Sequence, residues 1–166
     1  ELVLPCRSWA AQARQAVEAI AALGRQAVAL HLDVEQADSF PAFAETVRST
    51  LREQWGRDQF DALLNNAGYG VNMPFVDTTE AQFDSMMRVH VKAPFFLTHA
   101  LLPMLRDGGR VLNVSSGLAR FCLPGHAAYG SAKAALATLS RYFAQDPRDR
   151  GLLVIAISPG AIERGR

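Results

Sequence analysis

The chain has 166 residues, 49% of them hydrophobic and 20% charged, with a formal net charge of +1. Those are the proportions of a single globular domain, long enough to bury a core without disulfides or metals. The balanced charge and scattered Lys and Arg residues carry no footprint of a nucleic-acid or membrane partner. Cys6 and Cys122 stand in unrelated apolar contexts without a CxxC spacing, so two buried or half-buried thiols in a reducing compartment are expected, with no metal site or disulfide framework. No apolar run approaches the ~18 residues that would span a bilayer. The first residues lack the basic and apolar regions of a signal peptide, which makes the cytoplasm the expected location.

In chain order, residues 2–4 form a short apolar run that opens into a loop at Pro5-Cys6-Arg7-Ser8. Ser8 then caps a helix over residues 9–23, with Ala13, Val17, Ile20 and Leu23 on one stripe and Gly24 as its stop. A second strand covers residues 27–32 and closes at Asp33-Val34. A helix over 37–55 repeats Phe40, Phe43, Val47 and Leu51 at helical spacing. Residues 60–64 read as a third strand running into Asn65-Asn66-Ala67-Gly68. Thr79 and Gln82 make a capping box for a helix carrying Phe83, Met86, Met87 and Val91, with a kink or break expected near Pro94 and Pro103. Strands over 110–114 and 152–157 follow, separated by a helix over 127–144.

Short uninterrupted apolar strands alternating with amphipathic helices predict an α/β domain of the Rossmann-like type, a doubly wound parallel sheet with helices on both faces. One domain over residues 1–166 is expected, because no linker, repeat or low-complexity tract divides it. Ligands of such sheets bind beyond the carboxyl ends of the strands. Arg7, Asp33, Asn65 to Gly68, Ser116 and Pro159-Gly160 all fall at such ends and outline one crevice.

Tyr129 and Lys133 lie four residues apart on a predicted helix, one turn from each other on one face. A free phenol has a pKa of about 10 and is a poor base at neutral pH. An ammonium within roughly 4–6 Å favours the phenolate. Ser116, beyond the fourth strand, can hydrogen-bond a carbonyl or alcohol oxygen. Together these groups make a proton-transfer site for C–O and C=O chemistry. Taken alone, a Tyr and a Lys on one helix face would be a packed ring beside a solvated amine; their neighbours along the chain argue for more.

Asp33-Val34, Asn65-Asn66-Ala67-Gly68, Ser116, the YxxxK stretch from Tyr129 to Lys133 and Pro159-Gly160, in that order over nearly the whole chain, resemble the short-chain dehydrogenase/reductase family. The resemblance implies Tyr129 as general acid/base, Lys133 lowering its pKa and holding the nicotinamide ribose, and Ser116 orienting the substrate oxygen. It implies that Asp33 and Val34 border the adenine, that Asn65, Ala67 and Gly68 present backbone to the adenosine ribose, and that Pro159, Gly160 and Ile162 flank the nicotinamide. The activity implied is hydride transfer between NAD(P) and a small-molecule carbonyl or secondary alcohol, by a homodimer or homotetramer. The competing reading is a catalytically inactive dinucleotide-binding or structural relative.

Arg7 bears on cofactor choice. Members of the family that prefer NADP commonly carry a basic residue after the second strand, where NAD users place an acidic one. No carboxylate occurs between Leu4 and Ser8, so a 2′-phosphate is expected to meet a guanidinium, and NADP(H) is favoured with NAD(H) possible.

Three departures from the family pattern stand out. No glycine-rich TGxxxGxG turn precedes Glu1, and the family's last strand and substrate loop do not follow Arg166, so the resemblance implies that the first strand and the C-terminal part are missing from this chain. Arg164 stands where a threonine contacting the cofactor amide is common. His90 stands where most members carry an asparagine whose carbonyl holds a water in a proton relay. A histidine there leaves two roles open: a relay participant titrating near pH 6.5, or a hydrogen-bonded structural residue. Met86, Met87, Phe95 and Phe96 are read as core or subunit interface, and Phe121, Cys122 and Leu123 as wall of a substrate pocket. His99 and His126 lack ligand-spaced partners.

Overall fold

A computed structural model describes residues 1–7, 10–145 and 150–160. The predicted cap at Ser8, together with Ile162 and Arg164, lies outside the described residues. The apolar runs form five parallel strands: β1 (Leu2–Cys6), β2 (Ala27–His31), β3 (Phe60–Asn65), β4 (Leu105–Val114) and β5 (Leu153–Ile157). Between them lie α1 (Ala10–Ala22), α2 (Phe40–Trp55), α3 (Glu80–Met87), α4 (Ala93–Leu101) and α5 (Ala127–Phe143). This is a Rossmann-like α/β architecture.

The strands pair in two groups, β1-β2 and β3-β4-β5. Side chains, not a backbone ladder, join the groups. Phe40, Phe43, Val47 and Leu51 of α2 and Leu97 and Leu101 of α4 make one buried core, against which Val3, Leu30 and Leu63 from β1, β2 and β3 pack. The predicted stripe of α2 is therefore the one that is buried; each such side chain contributes roughly 1.5–3 kcal/mol on removal from water. Arg57, reaching Glu1 at 2.9 Å and Asp61 at 3.1 Å, ties the starts of β1 and β3 at the surface.

Element boundaries depart from the sequence reading where local chemistry intervenes. A 3₁₀ turn (Ala37–Ser39) precedes α2, whose α-helical part begins at Phe40 with Pro41 in its first turn. The Thr79–Gln82 capping box is present, with both reciprocal bonds, 3.3 and 2.9 Å. The expected break near Pro94 is a π-helical turn over Arg88–Lys92, in which the Ala93 N–H reaches back to the Arg88 carbonyl. Pro94 offers no N–H for an ordinary helical bond and needs room for its ring, and a widened turn supplies both. β4 begins earlier than expected, at Leu105, and its pairing with β3 shifts register between Phe60 and Ala62. Cys6 is half-buried, but Cys122 is exposed, contrary to expectation, because it lies in the loop before α5.

Strand alternation sends Asn65, Val111 and Asn113 towards α5 and Leu64, Leu112, Ile155 and Ile157 to the opposite side. Among these, Leu64, Ile155 and Ile157 are exposed. No helix among the described residues is long and apolar enough to cross a membrane.

Candidate active site

Five chain segments arrive at the carboxyl ends of the strands, and α5 is the rail on which they are set. Ala128, Ala132, Leu136 and Ser140 recur every fourth residue on its buried face. The small side chains of Ala128 and Ala132 pack against Met86 of α3. Lys133 shares that buried edge at 5% exposure. Its Nζ donates to the Val114 carbonyl at 2.7 Å, and the Ser115 hydroxyl donates back to the Lys133 carbonyl at 3.0 Å. Helix and strand end are thus clasped at both ends of one residue. Burial in a low-dielectric setting brings the Lys133 ammonium down to about 8, still charged at neutral pH.

Tyr129 sits one turn earlier, with the Lys133 Nζ 5.6 Å from its ring centroid. Ser116 is half-buried at the start of a short turn (Gly117–Ala119), where its Oγ accepts the Leu118 N–H at 3.2 Å. Its O–H proton is left to donate elsewhere. That turn lies directly on α5: a Cβ at Gly130 would come within 3.0 Å of the Leu118 carbonyl. Gly130, inside the YxxxK stretch, therefore allows the Ser116 turn to approach the helix beside Tyr129.

His90, in the π-helical turn, is 1% exposed and meets the Tyr129 ring edge-on at a centroid distance of 5.1 Å. Its Nε2 lies 2.7 Å from the Tyr69 carbonyl. A carbonyl only accepts, so Nε2 carries the proton, and Nδ1 is left as a buried acceptor without a partner among the described residues. Burial first, and the Lys133 ammonium second, push His90 down to about 4. The imidazole is neutral at physiological pH; of the two roles left open, the hydrogen-bonded residue agrees with this setting and a group titrating near 6.5 does not. A Cβ at Gly68 would overlap this ring, so the turn after β3 can pass over His90 only with glycine there.

The remaining predicted residues are placed as follows. The Asn65 side chain turns inward, donating to Asn113 Oδ1 at 2.8 Å and Thr98 Oγ1 at 3.1 Å. Ala67 and Gly68 are exposed at the crevice. Asp33 accepts the Glu35 N–H at 3.0 Å, while Val34 packs against the main core. Pro159 is half-buried with its carbonyl facing Gly117, and Gly160 is exposed. Arg7 is largely exposed, and its guanidinium lies 3.6 Å from Glu35.

Sequence reasoning missed the last contact and what surrounds it. Glu35 also receives the Tyr69 and Ser85 hydroxyls, both at 3.2 Å, and Arg88 at 3.8 Å. It missed as well the buried chain Asn65–Asn113–Ser140, although an asparagine inside the apolar run Val111-Leu112-Asn113-Val114 is itself a signal for a built hydrogen-bond partner. Beside Gly130 opens a cavity of about 350 Å³ walled by Phe75, Leu118, Phe121, Cys122, Leu123 and Pro124.

Comparison with known proteins places this geometry in context. The family model described as enoyl-(acyl carrier protein) reductase matches residues 3–165. The chain is 32% identical over 154 residues to hydroxynaphthalene reductase arp2 of Aspergillus fumigatus, covering 93% of this chain and 54% of that protein. It is 33% identical over 154 residues to versicolorin reductase 1 of Dothistroma septosporum, covering 92% of this chain and 56% of that one. Among solved structures, landomycin C-6 ketoreductase LanV with bound NADP and rabelomycin superposes with a TM-score of 0.90 at 31% identity, over 95% of this chain and 64% of that one. A dehydrogenase/reductase from Sinorhizobium meliloti gives 0.87 at 33% identity, over 95% and 61%. The chain spans about half the length of the curated relatives it matches.

Proposed function

The chain belongs to the short-chain dehydrogenase/reductase family, and from that premise we propose that the full-length protein is an NADP(H)-preferring reductase of ketones on apolar, cyclic substrates. The observation that carries the reading is the cluster of Lys133, Tyr129 and His90 at the end of β4, with Ser116 held against the same helix by the close approach at Gly130.

The residues present suit a nicotinamide dinucleotide. Arg7, after β1, and Arg88, at the start of the π-helical turn, offer guanidinium forks, and the turn after β3 exposes backbone at Ala67 and Gly68 while the Asn65 side chain turns inward. Asp33 and Val34 border the same end, and Pro159 and Gly160 stand opposite, beside Ser116. The cofactor, when bound, supplies the hydride. The chain supplies orientation and the proton. The Tyr129 hydroxyl delivers its proton to the substrate oxygen, the Ser116 hydroxyl donates a hydrogen bond to that oxygen, and the buried Lys133 ammonium stabilises the phenolate left behind. His90 remains neutral throughout and acts by position, fixing the Tyr69 carbonyl on one side and the Tyr129 ring on the other.

The aromatic and aliphatic wall of the cavity beside Gly130 supports an apolar ring system as substrate. The name of the LanV structure, with rabelomycin bound, and of the hydroxynaphthalene reductase agree in chemical class. The exposed Phe83, Phe95 and Phe96 beside a groove of about 570 Å³ on α3 and α4 support self-association through that face. Oxidation of NADPH by the full-length protein with a panel of fused-ring ketones tests the proposal. Turnover with members of the panel is expected; NADPH binding with no turnover on any ketone would favour an inactive dinucleotide-binding relative.

A further inference from the structure

Glu35, four residues past the end of β2, gathers groups from four segments around one carboxylate. Arg7, after β1, lies 3.6 Å from Oε1, and Arg88, at the start of the π-helical turn, 3.8 Å from Oε2. The Tyr69 hydroxyl donates to Oε1 and the Ser85 hydroxyl to Oε2, both at 3.2 Å, and these two hydroxyls also touch each other. Arg88 has a second, looser neighbour in Asp84 at 3.9 Å.

The two kinds of contact differ in what they fix. The two hydroxyl bonds, at 3.2 Å, are long for O–H···O but are still hydrogen bonds from two separate segments, and they hold a carboxylate whose side chain is only 20% exposed. The guanidinium contacts are longer than charge-assisted hydrogen bonds of about 2.7–2.9 Å, and the Arg7 and Arg88 side chains are 59% and 41% exposed. The arginines are held by charge, with donors unspent, around an anion that cannot swing away.

We propose that Glu35 sets the choice between a 2′-phosphorylated and a 2′-hydroxyl dinucleotide, acting as a fixed counter-charge that a 2′-phosphate must outcompete for Arg7 and Arg88. The proposal rests on the dinucleotide reading above. A phosphate monoester carries about −1.5 to −2 charges at neutral pH. Arriving at Arg7, it draws the guanidinium away from Glu35 and is left close to a carboxylate that stays in place. A dinucleotide with a free 2′-hydroxyl meets no such repulsion. Glu35 thus tempers the NADP preference that Arg7 and Arg88 create.

Fluorescence titration of the full-length protein with NADPH and with NADH tests this by affinity, without turnover. Glu35→Gln removes the charge, keeps an acceptor for one of the two hydroxyls and offers its amide N–H to the oxygen of the other. It is expected to tighten NADPH by about tenfold while NADH changes by less than about twofold. Glu35→Ala, which loses the hydroxyl bonds as well, is expected to shift the ratio of the two dissociation constants in the same direction. An unchanged ratio in both variants, with both dinucleotides still bound, overturns the role of Glu35 and leaves the reductase reading intact. Wild-type protein that binds neither dinucleotide overturns both.

Discussion

His90 lies between Val89 and Val91, and an imidazole met in sequence would be expected to titrate near pH 6.5. Its surroundings decide otherwise: burial and the neighbouring Lys133 ammonium bring it to about 4, and its single hydrogen bond to a carbonyl fixes the tautomer. The consequence is measurable as stability. Between pH 6.5 and 4 the unfolded chain binds a proton at this position that the folded chain refuses. Folding stability therefore falls as pH drops through that window, by up to about 1.4 kcal/mol per pH unit from this one group. His90→Gln, which can still donate to Tyr69, is expected to flatten the dependence by about that slope in chemical denaturation at pH 4.5 to 6.5. Parallel curves for the two proteins would contradict the assignment. The hydrogen-bonded role was one of two the sequence left open, but the depth of burial was not legible in it, because Gly68 passes over the His90 ring from a different segment. Arg7 teaches the same lesson. Its own segment carries no carboxylate, but the fold brings Glu35 to it from the end of β2.

At the scale of elements, what sequence pattern could read was periodicity and capping. The stripe of α2, the capping box of α3 and the extent of α5 follow from apolar spacing and side-chain chemistry internal to each segment. What it could not read was polar contact between elements. The Asn65 amide donates to Asn113 Oδ1 on β4 at 2.8 Å, and the Asn113 amide donates to Ser140 Oγ on α5 at 2.8 Å, fully buried. This chain fixes the register of β3 against β4 and the rotation of α5, and with it the placement of Tyr129 and Lys133. Asn113→Leu removes both bonds and leaves the Ser140 hydroxyl without one partner. A loss of about 2–3 kcal/mol in urea unfolding is expected, with reduced activity because α5 is less well set. A loss no larger than that of a surface substitution would contradict the role given to this chain.

For the whole molecule, the strands divide into two groups, β1-β2 and β3-β4-β5, joined by the α2–α4 core, and the candidate site stands where their carboxyl ends converge. The parallel α/β class was legible because apolar runs alternate with helical stripes. The exposed Phe95 and Phe96 on the outer surface of α4 belong to this scale too. Phe95→Glu is expected to convert a dimer or tetramer of the full-length protein to a smaller species in light scattering, and an unchanged mass would exclude that face as the interface. The central claim is that this arrangement moves a proton through the Tyr129 hydroxyl, and the most direct measurement is the rate of NADPH-dependent ketone reduction by Tyr129→Phe beside its affinity for NADPH. The account predicts a rate at least ~10² lower with affinity within about twofold of wild type; a rate equal to that of the unsubstituted protein would contradict it.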